Sequence, residues 1–179
     1  MSTETMPGAE RLGGRLRRHV AHHVGPYDPE GEVNLPGFAG SLTLFAATAA
    51  TAVLGLRAGG RDLPERYAVQ DLLLGGVAVH KFSRLVTKGS VTSPVRAPFT
   101  EFEGPSAASE HQETPRGDHG VRHTIGELLT CPFCLGVWAS TAYVAGLVAA
   151  PRPARAWAAL FTVTAVSDSM QHLYARLQD

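Results

Sequence analysis

A run of 23 residues without a charged side chain, 128–150 (LLTCPFCLGVWASTAYVAGLVAA), most constrains what this chain can fold into. A helix crosses the hydrocarbon core of a bilayer with about 20 predominantly apolar residues. A second uncharged run, 38–56, has nearly the same length and is rich in Ala and Thr. The two runs predict helices that cross a membrane. A buried helix of a soluble bundle is the alternative for each.

Two further apolar segments are interrupted by charge. Residues 67–87 contain Asp71 and Lys81, and residues 156–176 contain Asp168. Charged side chains near a helix end can reach the membrane interface, whereas an acid inside a span must face protein or water. With these segments included, the sequence predicts an all-α integral membrane protein with about four transmembrane helices and a polar central loop.

The segments between and before these helices are polar. Residues 1–37, rich in Gly, Pro, Arg and His, are predicted to form a flexible basic extension. Residues 88–127 are predicted to be a polar loop, in which 104–120 is a flexible insertion. The helical membrane domain is therefore expected to span 38–179, and a wholly soluble helical bundle is the alternative.

The distribution of basic residues predicts an orientation in the cell membrane. If there are four spans, the two termini and the central loop hold eleven of the Lys and Arg residues, and the other two loops hold five. The positive-inside rule then places both termini and the central loop in the cytoplasm. The formal net charge of zero gives no reason to expect a nucleic-acid partner.

Small residues four apart, such as Gly136 and Ser140, allow helices to pack closely in lipid. The expected partners are therefore the lipid bilayer and either a second copy of the chain or another membrane protein.

The two cysteines of the chain, Cys131 and Cys134, stand at the start of the longest uncharged run. In a redox interpretation they are the catalytic pair, because a helix N-terminus lowers thiol pKa values and residues three apart can close a disulfide. Thr130 would then cap the helix, with Pro132 in its first turn. In a packing interpretation the cysteines are two small apolar side chains on one face. Both interpretations are open.

A zinc site is the third interpretation of the cysteine pair. Zinc takes four ligands, of which two thiolates supply half. The histidines that could complete the set are His80, His111, His119 and His123. Their spacing matches no standard zinc pattern, so the sequence predicts no metal and no cofactor.

Three basic residues follow the second apolar segment and are candidate anion ligands: Arg84, Lys88 and Arg96. Guanidinium groups bind phosphate in a bidentate fork, as in a lipid headgroup. Internal acidic partners are the alternative, and the nearby carboxylates are Glu101, Glu103 and Glu127. We favour internal pairing, which would fix this loop over the mouth of the third helix.

Two stretches together, HKFSRLVTKGSVTSPVRAPFTEFEG (80–104) and GELLTCPFCLGVW (126–138), resemble domain-of-unknown-function family 1360, small membrane proteins of Gram-positive bacteria. The resemblance covers roughly residues 68–175. It implies an integral membrane protein, with some members linked to sporulating bacteria. It implies no established activity, so no catalytic role is carried over to any residue.

Three functions are therefore in competition. The leading hypothesis is a non-enzymatic membrane module that packs with itself or with a partner, because the sequence contains no complete catalytic constellation. A membrane thiol–disulfide oxidoreductase that uses Cys131 and Cys134 is the first alternative. Binding of a lipid headgroup or another anion by the loop from Arg84 to Arg96 is the second.

Overall fold

The structure, a computed structural model, describes residues 27–28 and 33–178. The chain divides into two compact units, Met1–Leu35 and Pro36–Asp179. In the first unit, the Val33 N–H donates a hydrogen bond of 2.9 Å to Asp28 Oδ2. The predicted flexible extension at 1–37 lies mostly outside the described residues and stays a prediction.

Six helices and one β-hairpin make up the described part of the chain. The helices are α1 (Leu35–Ala58), α2 (Val69–Lys88), α3 (Ser93–Arg96), α4 (Val121–Thr130), α5 (Pro132–Ala149) and α6 (Pro151–Arg176). A 3₁₀ turn, Ser90–Thr92, joins α2 to α3, and the hairpin consists of β1 (Thr100–Ala107) and β2 (Glu110–Pro115).

The core of the second unit lies where α2 packs against α5 and α6. Ala78, Tyr143 and Ala158, one from each helix, are buried together, with the rings of Trp157 and Phe161 beside them. The Tyr143 hydroxyl donates a 2.9 Å hydrogen bond to the Asp71 carbonyl on α2. This contact requires a glycine on α2, because a Cβ at Gly75 would overlap the Tyr143 ring.

The expectation of about four transmembrane spans is wrong. In the part of the chain that the structure describes, α1 and α5 are the two helices long and apolar enough to cross a membrane. The charged residues of α2 and α6 explain why these two helices are less apolar than α1 and α5. Arg155 holds Asp71 in a bidentate pair at 2.8 and 2.9 Å, and Lys81 pairs with Asp168.

The all-α prediction is also wrong, because the predicted loop at 88–127 contains the hairpin. Its strands are antiparallel, and Phe102 lies opposite Glu113 in the register. Ser109 turns the chain between the strands with a left-handed φ of 59°. The alternation around Phe102 is a strand pattern, but Gly, Pro and charged residues mask it, so 104–120 was wrongly predicted to be a flexible insertion.

Candidate functional site

The CPFC motif lies at a break between two helices. α4 ends at Thr130 and α5 begins at Pro132, while Cys131 between them is extended (φ −106°, ψ 102°) and caps α5. Its Sγ accepts a 3.1 Å hydrogen bond from the Cys134 N–H. Pro132 is in the first turn as predicted. The predicted cap is wrong: the Thr130 hydroxyl donates to the Gly126 carbonyl at 3.0 Å and belongs to α4.

Cys131 and Cys134 are joined in a disulfide, with their Cα atoms 5.3 Å apart. Cys134 is exposed on the protein surface and Cys131 is half-buried. The sulfur of Cys131 therefore lies against the Cys134 amide in the first turn of α5, and Cys134 is the more exposed residue of the pair. Free amides at a helix N-terminus stabilise a thiolate, and this favours Cys131 as the leaving sulfur when the bond is opened.

Two of the candidate histidines contact side chains other than the cysteines. His111 Nδ1 lies 3.0 Å from Ser93 Oγ, and His123 Nε2 lies 3.6 Å from Glu127 Oε1. Among the described residues, no group of three or more His, Cys, Asp or Glu side chains could hold a metal ion. The sulfurs in the disulfide are not the thiolates that zinc requires.

An apolar groove of about 510 Å³ opens beside the disulfide, between α1, α4 and α5. Phe38 and Phe45 of α1 line one side, and Trp138 of α5 lines the other. The Phe45 and Trp138 rings meet edge to face with centroids 5.2 Å apart. Both cysteines lie in the wall. A redox-capable bond therefore faces an aromatic cavity.

One carboxylate shares this groove with the cysteines. Glu127 lines the groove and lies four residues, about one helical turn, before Cys131. His123 stands one turn earlier still and faces it as an i,i+4 partner. The His123 Nδ1 atom is buried and has no hydrogen-bond partner within the described residues. An ionisable pair thus lies on α4, directly before the disulfide in the chain.

The hairpin positions the α4 side of the groove. Gly126 of α4 lies against backbone, since a Cβ there would be 2.5 Å from the Phe99 carbonyl oxygen and 3.0 Å from Pro115 Cα. Pro115, the last residue of β2, also lines the groove. The approach of α4 to β2 therefore depends on a residue without a side chain.

A buried ion pair attaches the hairpin to the end of α2. Arg96 has no exposed surface, and its Nη2 and Nε lie 2.6 and 2.8 Å from the two carboxylate oxygens of Glu113. The guanidinium also donates to the carbonyls of Val86 and Gly89, at 2.7 and 3.0 Å. Every side of this charge is occupied by protein, so it is not available to an external phosphate.

The Glu113 carboxylate is held ionised despite its burial. Burial by itself would raise the pKa of Glu113, but hydrogen bonds from Arg96, Thr100 and Ser93 outweigh it and lower the pKa. The Thr100 hydroxyl donates to Oε2 at 2.7 Å, and Ser93 Oγ lies 3.3 Å from Oε1. A buried carboxylate with several donors is stable in its charged form.

Arg84 also has an internal partner. Its Nε and Nη2 lie 3.0 and 2.5 Å from the two carboxylate oxygens of Glu110, and this pairing raises the pKa of Arg84. Lys88, the third candidate anion ligand, is half-buried at the end of α2. Both arginines therefore pair internally, as expected from the sequence. Their partners, however, are two carboxylates of β2 that were not among the expected ones. If residues 110–115 had been recognised as a strand, these two carboxylates would have been candidate partners.

Comparison with known proteins gives a family and no activity. The family DUF1360, described as a protein of unknown function, matches residues 73–174. Sporulation protein YjcA from Bacillus subtilis (strain 168) is 37% identical over 70 residues, which are 37% of this chain and 58% of that protein. No solved structure matches the chain. As the resemblance of the two quoted stretches predicted, the chain belongs to the DUF1360 family.

Proposed function

We propose that this protein is a membrane-attached thiol–disulfide exchange protein whose working group is the Cys131–Cys134 disulfide. The observation that carries the proposal is the placement of this bond at the start of α5, with Cys134 exposed and Cys131 against the opening amides. A disulfide stabilises a fold more when it closes a longer loop, so a bond between residues three apart contributes little in this way. The Cys131–Cys134 bond also faces the groove, and together these features favour a disulfide that is opened and re-formed over a structural one.

The exchange proceeds through a mixed disulfide. A substrate thiolate attacks Cys134 Sγ, the bond between the two sulfurs breaks, and Cys131 leaves as a thiolate stabilised by the Cys134 N–H and the helix N-terminus. A second substrate thiolate then attacks the substrate sulfur of the mixed disulfide and releases Cys134 as a thiolate. Two substrate thiols become one disulfide, and the CPFC pair takes up their two electrons.

Attachment to the membrane is proposed from α1. None of its 24 residues is buried, and large apolar side chains such as Leu42, Leu44 and Leu54 are more than half exposed. Water does not favour such a surface on a helix of this length, whereas a bilayer does. We further propose that the hairpin faces the cytoplasm, because, with α1 and α5 as the two crossings, nine of the 16 Lys and Arg residues lie between their apolar runs. Following the name of the Bacillus subtilis relative, we place this exchange in sporulation.

Trapping of the mixed disulfide tests the proposal. In the Cys131→Ser protein the exposed Cys134 has no partner, so glutathione disulfide should form a stable mixed disulfide that mass spectrometry detects. The Cys134→Ser protein is the matched control, and its half-buried Cys131 should be modified at least several-fold more slowly. Equal modification of both variants, or a wild-type disulfide that excess glutathione never opens, would contradict the proposal.

A non-enzymatic interaction module is the second candidate, and the exposed apolar surface of α1 favours it. Small residues along this helix would let a second copy pack closely in lipid. Chemical crosslinking in native membranes tests it. A dimer that persists when both cysteines are replaced by serine would support packing as the function, and a monomer without a co-purifying partner would remove its support.

A further inference from the structure

The groove beside the disulfide combines three properties that together indicate a ligand. It is almost entirely apolar, it lies between the two helices of membrane-spanning length, and a disulfide forms part of its wall. Several of its lining side chains, including Phe38, Leu42 and Val137, are also exposed on the outer surface of α1 and α5. The groove is therefore continuous with the surface that the lipid would cover, and a lipid-soluble molecule can enter it sideways.

We propose that this groove binds the ring of a lipid-soluble quinone, and that the quinone is the oxidant that re-forms the Cys131–Cys134 disulfide. This inference rests on the proposed exchange function and names its electron acceptor. The exchange leaves the pair reduced, so each cycle needs an acceptor of two electrons. A quinone accepts two electrons and two protons in one turnover and partitions into the bilayer, where the open side of the groove lies.

The shape and chemistry of the groove fit a quinone ring better than a simple acyl chain. The volume of about 510 Å³ lies in the range of small-molecule sites. Trp138 and Phe45, in edge-to-face contact, offer ring faces for stacking. Ser41, Thr124, Glu127 and Thr130 are polar residues in a wall that is otherwise lined by apolar side chains and the two cysteines. An acyl chain uses none of these polar groups, whereas each carbonyl oxygen of a quinone needs a donor and then a proton.

The reaction balances with these groups alone. The S–H bonds of Cys131 and Cys134 break, one S–S bond forms, and two electrons and two protons reduce the quinone to the quinol. Glu127, paired with His123 and lining the same wall, is placed to pass protons from the thiols toward the quinone oxygens.

The test is a single-turnover oxidation with a short-chain ubiquinone as the probe. The full-length protein is reduced in lipid nanodiscs under nitrogen, decylubiquinone is added, and both quinol and cysteine oxidation are followed. One quinol should form per disulfide. Trp138→Leu should raise the half-saturating quinone concentration about tenfold, which corresponds to the ~1.4 kcal/mol of a stacking contact. Phe133→Leu is the matched control, since Phe133 is 88% exposed and does not line the groove.

Parallel equilibration in glutathione buffers separates this inference from the function on which it rests. If glutathione equilibrates with the cysteine pair but the quinone leaves it reduced, the quinone inference is overturned and the exchange function stands. If neither reagent changes the pair, both fail. If the quinone oxidises wild type and Trp138→Leu with the same concentration dependence, oxidation occurs outside the groove and the site is overturned.

Discussion

Arg96 and Glu113 form a buried, two-point ion pair between the end of α3 and the middle of β2. The Nη2–Oε1 and Nε–Oε2 distances are 2.6 and 2.8 Å, and the side chains are 0% and 5% exposed. Removal of one partner of such a pair leaves the other charge in a medium that solvates it poorly. The hairpin, and through it the α4 side of the groove, should therefore depend on this pair.

Glu113→Gln keeps the shape of the side chain and removes its charge, so Arg96 remains buried and uncompensated. We expect a loss of about 3–5 kcal/mol in the free energy of unfolding, measured by denaturant titration in detergent. Hydrogen exchange should show that the hairpin amides lose protection first. Glu103→Gln is the control, because Glu103 is exposed and accepts a hydrogen bond from the exposed strand residue Thr114 rather than from a buried charge. A Glu113→Gln protein as stable as the control would contradict the role of the pair.

Stability should also depend on pH through Glu113. The pKa of this carboxyl in the folded protein lies below its ordinary value of 4.5, because the hydrogen bonds to Arg96, Thr100 and Ser93 outweigh its burial. A lowered pKa means that the folded state binds this proton less readily than the unfolded state. The stabilisation is therefore complete above pH 4.5 and is lost as the pH falls below it, through the folded-state pKa.

Acid titration of unfolding in the wild type and in Glu113→Gln checks this dependence. The wild type should lose stability progressively below the ordinary glutamate pKa, and the variant should lose less over the same interval because it lacks the titrating group. Parallel pH curves for the two proteins would show that other carboxyls govern the acid response.

The sequence predicted the four long helices but not the ion-pair partners of their charged side chains. The uncharged runs at 38–56 and 128–150 appear as α1 and α5, because apolar composition and length are local properties of the chain. The charges of α2 and α6 find partners 84 and 87 residues away in sequence, Arg155 for Asp71 and Asp168 for Lys81. Such pairing is a property of the folded chain, which no local pattern displays.

The candidate site was predicted in part. Cys131 and Cys134 were identified from their spacing, since residues three apart meet at the start of a helix. The groove was not, because it needs α1 and α5 side by side, and Phe45 is 93 positions from Trp138 in the chain. Glu113 was missed for a related reason, since its strand is polar and pairs with a partner that Gly and Pro interrupt.

Gly75→Ala should loosen the packing of α2 on α5. The added Cβ would overlap the ring of Tyr143, which is buried and fixed by its hydrogen bond to the Asp71 carbonyl. Overpacking of this kind costs about 1–3 kcal/mol. Gly76→Ala is a matched control one residue along, because its Cβ would meet nothing within 4 Å and it gains helix propensity. We expect a lower thermal midpoint for the first variant and an unchanged or higher one for the second. A lower thermal midpoint for Gly76→Ala than for Gly75→Ala would contradict the close packing of Gly75 against Tyr143.

The side of the membrane that the disulfide faces decides which thiols it can meet. Cys131 and Cys134 are the two cysteines of the whole chain, so the mass shift of the protein after thiol labelling reports on them alone. In intact cells, we expect no labelling by a membrane-impermeant maleimide, with or without an impermeant reductant, because the basic residues place the hairpin end in the cytoplasm.

Lysed cells should give labelling of both cysteines only after a reductant is added, because the pair is a disulfide. Labelling of intact cells in the presence of an impermeant reductant would mean that the orientation is the opposite one. The exchange would then act on thiols outside the cell. Labelling of lysed cells without any reductant would mean that the pair is reduced in the cytoplasm, as is usual for thiols there. The quinone would then have to act faster than cellular reductants for the disulfide to accumulate, and the ratio of labelled to unlabelled protein would measure that competition.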